Sequence, residues 1–260
     1  MTTLTFAVRD SATMTRRSFR HVLRYPGTLI TSVGVPVLLL LLFVGVFGAL
    51  KAGLGAGSHF SYIDYLVPGI IAMTAAYGSS GTALSVNRDS TEGIIGRFRT
   101  MAISPASVLN GHVVSALVRT LVSVALVIAV AIGLGFRPTA DAGQWLAAAG
   151  VTILLVLALT WLAVAVGLAA KTAEGTTGFL LLVQLLPFIS SAFVPPDQMS
   201  GAVRWFAEHQ PFTPIIDTLR GLLVGTPDGA TALTAVAWCV GLALAGLLWA
   251  RVLFRRDLNR

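Results

Sequence analysis

Formal charge is scarce in this chain, and its absence from long stretches is the first constraint on the fold. Asp, Glu, Lys and Arg make up 11% of the 260 residues, whereas 55% are apolar. No charged residue occurs between Tyr25 and Leu50. A soluble domain with a mean hydropathy of +0.83 could not hide its apolar side chains in one core. We therefore expect lipid to cover much of the surface.

Cysteine is nearly absent, since Cys239 is the single one. One cysteine excludes a disulfide framework and any Cys/His metal spacing, so it is interpreted as a small packing residue. No catalytic or metal-binding residue is predicted. The segment Gly78-Ser79-Ser80-Gly81 matches the G-x-S-G of intramembrane serine proteases. Such small residues also arise readily in faces where helices pack closely, which is the favoured reading.

A phosphate-binding loop is missing as well. No G-x-x-x-x-G-K-[ST] occurs, so the chain cannot cradle a nucleotide in a P-loop. Either a separate ATPase docks on this protein or a gradient drives it as a self-contained carrier. All 11 acidic residues fall in loops or at the borders of predicted spans, which disfavours the carrier, because an ion-coupled carrier needs acidic groups within the membrane.

The apolar stretches predict an all-α polytopic membrane protein with six spans. A hydrocarbon core of about 30 Å requires roughly 20 helical residues. A transmembrane domain is predicted over 28–260, preceded by an interfacial segment over 1–27. The predicted spans are 28–50, 62–84, 110–136, 145–170, 176–194 and 230–253.

The basic residues predict that both termini are cytoplasmic. With that orientation, the outer side holds only Lys51, Arg137, Arg204 and Arg220, and the other fourteen of the 18 Lys and Arg residues lie inside. This bias follows the positive-inside rule. The net charge of +7 thus reflects topology, and no nucleic-acid partner is needed to explain it.

Residues 1–27 combine an apolar stripe that includes Leu4, Val8 and Phe19 with a cluster of arginines from Arg16 to Arg24. This pattern is typical of a helix lying on the anionic inner leaflet. The alternative is a disordered basic tail.

The predicted cytoplasmic loop from Ser85 to Ser107 is longer than a connector requires. Ile94, Ile95, Phe98 and Met101 recur with helical spacing, so the loop is predicted to hold a helix whose apolar face enters a partner's groove. The alternative is a helix floating on the membrane surface. The residues predicted to couple to a partner ATPase are Arg88, Asp89, Glu92, Gly93, Ile94, Ile95, Arg97, Phe98 and Met101.

The outer segment after Pro195 and Pro196 is too long for a turn and stays apolar. One or two short helices re-entering the outer interface are predicted there, held by aromatic residues such as Trp205. Arg220 is expected to pair with Asp217 or with backbone carbonyls in a structural role.

Within the spans, Tyr77, Trp161, Gln184 and Phe188 are candidates for a substrate path, although each taken singly is more often a packing residue. Arg119 interrupts the third span. It either snorkels to the inner surface or is a functional charge that faces the interior.

Several loose motifs together resemble the membrane subunit of ABC-2 type exporters, and more narrowly the daunorubicin and multidrug resistance permeases. The loop motif is matched by Glu92-Gly93, Arg97, Arg99 and Ser104-Pro105, and the outer motif by Trp205, Pro211, Pro214, Arg220 and Gly221. The resemblance covers essentially the whole chain. It implies the fold of type V ABC exporters, with an N-terminal amphipathic helix, a cytoplasmic coupling helix and extracellular re-entrant helices.

The resemblance also implies a function. The chain is expected to be a non-enzymatic, multi-pass permease subunit in the cell membrane that exports a hydrophobic drug, antibiotic or lipid. Its implied partners are two ATPase subunits, which bind ATP and magnesium, and a second permease subunit, expected to be an identical copy. The alternatives are export of a polysaccharide or lipid-linked glycan and, less favoured, a gradient-driven carrier.

Overall fold

The computed structural model describes residues 26–53, 62–91 and 105–258, with side chains described over 33–46, 62–91 and 109–254. Residues 1–25 of the predicted interfacial helix and the whole predicted coupling helix around 94–101 lie outside these ranges. Both helices therefore stay predictions.

Every regular element in the described ranges is helical, which agrees with the predicted all-α class. Eight α-helices are described: α1 (Pro26–Gly53), α2 (Tyr62–Thr91), α3 (Pro105–Gly133), α4 (Ala142–Ala169), α5 (Ala173–Leu185), α6 (Gly201–His209), α7 (Phe212–Val224) and α8 (Gly229–Leu258). Short 3-10 turns occupy Leu186–Ile189 and Pro196–Gln198.

Three described stretches are long and apolar enough to cross a bilayer, namely Leu109–Gly133, Ala142–Ala169 and Gly229–Phe254. Shorter apolar stretches occupy Val33–Val46 and Ala173–Ile189. This pattern fits a polytopic membrane protein. A helix lies over each of the six predicted spans, while the number of crossings and the orientation stay predictions.

Helix α2 is the centre of the bundle. It packs against α1, α3, α4, α5 and α7, and its small residues Ala72 and Ala76 are buried. Close approach explains the glycines nearby. A Cβ on Gly69 would lie 2.6 Å from the Cβ of Ala192, and one on Gly167 of α4 would lie 2.5 Å from the carbonyl oxygen of Ala83. Helices in lipid associate through such contacts.

Helix α8 packs on α4 along one stripe of small residues. Ala235, Cys239 and Ala250 are fully buried, so Cys239 is a packing residue as predicted. A Cβ on Gly246 would lie 2.6 Å from the backbone nitrogen of Leu162. By contrast, nothing in the described chain lies within 4 Å of a Cβ at Gly241, five residues earlier on the same helix.

Both ends of α4 have specific caps. At its start, Asp141 accepts a hydrogen bond of 2.8 Å from the Gln144 amide, and the Gln144 side chain accepts one of 2.9 Å from the Asp141 amide. At its end, the buried amide of Asn87 donates to the carbonyl oxygens of Gly167 at 3.1 Å and Ala170 at 2.7 Å. These carbonyl oxygens at the end of α4 thus accept hydrogen bonds from a side chain of α2 rather than from water.

The outer segment folds as two short helices, α6 and α7, as predicted. Helix α7 contributes Phe212, Ile215 and Leu219 to the main apolar core. Helix α6 stays at the surface, where Trp205 is 63% exposed. Gly225 ends α7 with a φ of 81°, a left-handed conformation that glycine adopts without strain. Whether these helices re-enter the membrane interface stays a prediction.

Candidate transport path and coupling site

Two described helix ends flank the predicted coupling loop, and a side-chain contact ties them together. Asp89, near the end of α2, lies 3.0 Å from Nε2 of His112 in the second turn of α3. We call this end of the bundle, which contains Arg88, Asp89 and His112, the basic end. Because the contact joins the helices on both sides of the loop, a displacement of the loop would be transmitted to α2 and α3 together.

The basic end contains two of the predicted coupling residues. Arg88 is exposed and Asp89 is half-buried. The sequence interpretation missed the pairing of Asp89 with His112, because the two residues are 23 positions apart and lie on different helices. The other predicted coupling residues, from Glu92 to Met101, lie outside the described ranges.

One turn of α2, from Gly78 to Thr82, carries a polar site. Nη2 of Arg119 on α3 donates to the carbonyl oxygen of Gly78 at 2.9 Å and to Oγ1 of Thr82 at 3.3 Å. Arg119 therefore faces α2 inside the bundle instead of extending freely to the membrane surface. Close packing explains Gly78, since a Cβ there would lie 2.3 Å from Oγ1 of Thr120.

Ser80 lies on the same turn and contacts α5. Its hydroxyl donates to the carbonyl oxygen of Ala76 at 3.2 Å and accepts from Nε2 of Gln184 at 2.5 Å. His112, which a protease of this kind could use as a catalytic base, contacts Asp89 and not Ser80. These contacts give the G-x-S-G segment a helix-packing role and agree with the interpretation favoured from sequence.

The four predicted path residues lie in two places. Tyr77 and Phe188 pack against the main core, whereas Trp161 packs in a second cluster near the basic end. The Phe188 ring stacks on Phe193 with centroids 5.3 Å apart, and Phe193 stacks on Phe43 of α1 at 4.3 Å. Gln184 of α5 donates a hydrogen bond to Ser80 of α2. Ser80 lies about one helical turn beyond Tyr77. The role of these residues in a path stays a prediction.

At the opposite end of the bundle, Arg220 clamps α7 to α2. It pairs with Asp217, donates to the carbonyl oxygen of Ser191 at 2.6 Å and lies 3.8 Å from the centroid of the Tyr65 ring. Ser191 in turn donates to Asp217 at 2.7 Å. Both partners expected for Arg220, a carboxylate and backbone carbonyls, are therefore present.

The glycine at position 221, next to this arginine, is explained by a close contact with the following turn. Its carbonyl oxygen accepts a hydrogen bond of 2.8 Å from the Thr226 amide. A Cβ at this position would lie 2.8 Å from the carbonyl oxygen of Thr226. The Arg-Gly pair of the outer motif thus combines a clamp with a tightly folded turn.

An apolar cleft of about 240 Å³ opens between α2, α3, α4 and α7. Its lining includes Ile71, Val124, Trp145 and Leu219, one from each helix. None of the four predicted path residues lines it. The sequence interpretation missed this cleft because its walls are ordinary apolar residues, brought together only by the crossing of the helices.

These features define a polytopic helical membrane protein with a packed polar turn at its centre, a clamp at one end and a linked pair of helix ends at the other. The family model for the ABC-2 type transporter matches residues 10–224. The chain therefore belongs to the ABC-2 type transporter family.

Sequence similarity to two permease proteins supports this assignment. The daunorubicin resistance ABC transporter permease protein DrrB1 of Streptomyces coeruleorubidus is 30% identical over 254 residues, covering 93% of this chain and 83% of that protein. The doxorubicin resistance ABC transporter permease protein DrrC of Mycobacterium tuberculosis is 24% identical over 229 residues, covering 88% of this chain and 82% of that protein. Both relatives are named as ABC transporter permease proteins.

Proposed function

We propose that this chain is the permease subunit of an ABC exporter that moves a hydrophobic or amphipathic molecule out of the cell. Membership of the ABC-2 type transporter family is the observation that carries the proposal. Two relatives are named for resistance to daunorubicin and doxorubicin. In this proposal the basic end faces the cytoplasm, as the charge distribution predicts.

Energy comes from a separate ATPase, because the sequence has no P-loop of its own. Two ATPase subunits bind ATP and magnesium and contact the loop between α2 and α3 on each of two permease copies. ATP can shift the permease between conformations only if the ATP-bound and ATP-free motors contact this loop differently.

The contact between Asp89 and His112 supports a mechanical route for coupling. It links the two helices that enter and leave the loop, at a heavy-atom distance of 3.0 Å. Helix α2 then contacts α1, α3, α4, α5 and α7. A displacement at the basic end therefore reaches most of the bundle through one central helix.

The apolar cleft supports a lipophilic cargo. Its walls lie on four helices and consist almost wholly of apolar side chains, with Thr152 as the polar exception. The Thr152 hydroxyl is already used, because it donates to the carbonyl oxygen of Ala148 at 2.8 Å. Such a lining favours an apolar molecule over an ion or a sugar.

The proposal is tested by placing a carboxylate on the coupling face. The chain is purified with its candidate ATPase and reconstituted in vesicles, and Phe98→Asp and Ile94→Asp are compared with Leu146→Asp. Leu146 lies near the start of α4, at the end of the bundle opposite the basic end, and is 75% exposed.

We expect the loop variants to lose export and drug-stimulated ATP hydrolysis while they still insert in the membrane, and Leu146→Asp to retain both activities. Export that persists in both loop variants would contradict the coupling mechanism. Nucleotide-independent uphill transport by this chain alone would contradict the proposed function.

A further inference from the structure

Arg119 has unusual surroundings for an arginine inside a bundle. It lies within the apolar stretch Leu109–Gly133, seven residues beyond His112, so its Cα is about 10 Å further along the helix axis than the contact with Asp89. The residue as a whole is half-buried, and the Nε atom of its guanidinium group is buried. Its depth therefore exposes a permanent charge to a poorly polar environment.

The protein solvates this charge incompletely. An arginine has five N–H donors, and in the described residues only Nη2 has acceptors, the Gly78 carbonyl and the Thr82 hydroxyl. Nε is buried and has no hydrogen-bond partner there. Two neutral oxygens orient the group without neutralising its charge.

No carboxylate supplies the missing charge in the part of the chain that the structure describes. The ion pairs found there join His112 to Asp89, Arg204 to Glu208 and Arg220 to Asp217. Arg220, which is also half-buried, thus has its counter-ion within the fold. Arg119 differs from it in this respect, since a cation away from water is normally paired.

Gly81 leaves space beside the guanidinium. A Cβ at this position would lie 3.4 Å from Nη2 of Arg119, 3.7 Å from Cζ and 3.8 Å from Nη1. Because glycine has no Cβ, residue 81 itself does not fill the volume beside the guanidinium. The sequence therefore places its smallest residue where an incoming ligand would need room.

We propose that Arg119 binds the phosphate group of a membrane lipid from the leaflet at the basic end. Guanidinium and phosphate match in charge and in their two-pronged hydrogen-bond geometry. A long helical side chain leans toward the N-terminus of its own helix, which for α3 is the basic end. The phosphate supplies the counter-charge and accepts the donors that Gly78 and Thr82 leave free.

Native mass spectrometry of the purified full-length chain in detergent tests this binding without any ATPase. The probes are phosphatidylglycerol and a diacylglycerol with the same acyl chains, which lacks the phosphate. We expect the wild type to retain phosphatidylglycerol in preference to diacylglycerol, and Arg119→Gln to weaken that retention about tenfold, as expected for losing a charge-assisted hydrogen bond. Arg119→Lys should retain part of it.

The matched control is Arg251→Gln, which removes one exposed arginine from α8 at the same end of the bundle. It should bind phosphatidylglycerol like the wild type. Equal binding of the two lipids, or equal losses in the Arg119 and Arg251 variants, would overturn the proposal. Displacement of the lipid by inorganic phosphate alone would overturn its lipid component and assign the site to free phosphate.

A second measurement uses the wild-type chain and therefore tests the binding site even if Arg119→Gln fails to fold. A phosphatidylglycerol analogue with a photoreactive head group is cross-linked to the wild-type chain, and the modified peptides are identified. Cross-links should occur near 78–82 or 119, and cross-links confined to other segments would contradict the site. Because no transport is measured, this result is independent of the proposed export function.

Discussion

Helices α2 and α8 are both 30 residues long, yet they occupy opposite environments. Helix α2 is the central helix and carries Ser79, Thr82 and Asn87 as buried polar residues. Helix α8 faces outward, with Leu233 at 73% and Leu248 at 58% exposure. Only α8 of the two contains a stretch apolar enough to count as a membrane span by composition.

Burial by itself does not explain this difference, because the apolar stretch Ala142–Ala169 of α4 is mostly buried, the stretch Gly229–Phe254 of α8 is mostly exposed, and both are apolar enough to cross a bilayer. A helix facing lipid needs apolar side chains, because lipid cannot satisfy polar groups. A helix surrounded by other helices instead needs small residues for close approach and polar groups that find partners. The weaker hydropathy of α2 reflects polar side chains that have partners on neighbouring helices, such as Asn87 on α4 and Thr82 on Arg119.

The largest expected effect comes from enlarging the residue where α4 crosses α2. In Gly167→Leu, the side chain would meet the backbone of Ala83, so we expect a loss of about 3 kcal/mol or more in unfolding free energy. Gly150→Leu is the control, because no atom lies within 4 Å of a Cβ there. Unfolding in mixed detergent micelles measures both. Equal stabilities would show that α2 is not tightly packed against α4.

A smaller effect is expected at the polar cap that α2 provides. Asn87→Ala leaves the carbonyl oxygens of Gly167 and Ala170 without their donor, which should cost about 2 kcal/mol. The control is Ser85→Ala on the exposed face of α2. The same unfolding measurement applies, and faster hydrogen exchange in the last turn of α4 should accompany the loss. An unchanged exchange rate there would exclude the capping role.

The smallest effect is expected at the start of α8. Hydrogen bonds from the Thr231 hydroxyl, the Thr231 amide and the Ala230 amide hold the pKa of Asp228 below its ordinary value. The stabilisation is therefore complete above the ordinary carboxyl pKa of about 4 and is lost as the pH falls through the lower folded-state pKa.

Melting temperatures of the wild type and Asp228→Ala should thus differ slightly at neutral pH and converge in strong acid. Thr231→Val serves as a partial control, because it removes one of the hydrogen bonds and keeps the carboxylate. A difference between wild type and Asp228→Ala that is independent of pH would show that the charge of Asp228 does not contribute.

Sequence patterns predicted the helices well because lipid imposes a simple rule on them. A helix lies over each predicted span, although the fifth is shorter than predicted: α5 ends at Leu185 and a 3-10 turn follows over Leu186–Ile189, within the predicted span 176–194. The partners of Arg220 were also predictable, since Asp217 lies three residues away on the same short helix.

Contacts between distant segments could not be predicted in this way. Three such contacts join different helices: Asn87 caps α4, Asp89 pairs with His112, and Arg119 donates a hydrogen bond to the carbonyl oxygen of Gly78. The choice of Gly246 over Gly241 as the close-approach residue of α8 depends on the rotation of that helix about its axis. Spacing alone leaves that rotation open.

The sequence by itself determined that this protein is a helical membrane protein, where its helices run and that it has no P-loop, because these properties follow from local composition and motifs. Only the tertiary structure decided that α2 is central, that α8 faces outward and that Arg119 lies against a glycine without a counter-ion in the described chain. The physical reason is that lipid selects for apolar length in each segment separately, whereas the arrangement of helices depends on the fit of small and polar side chains far apart in the chain.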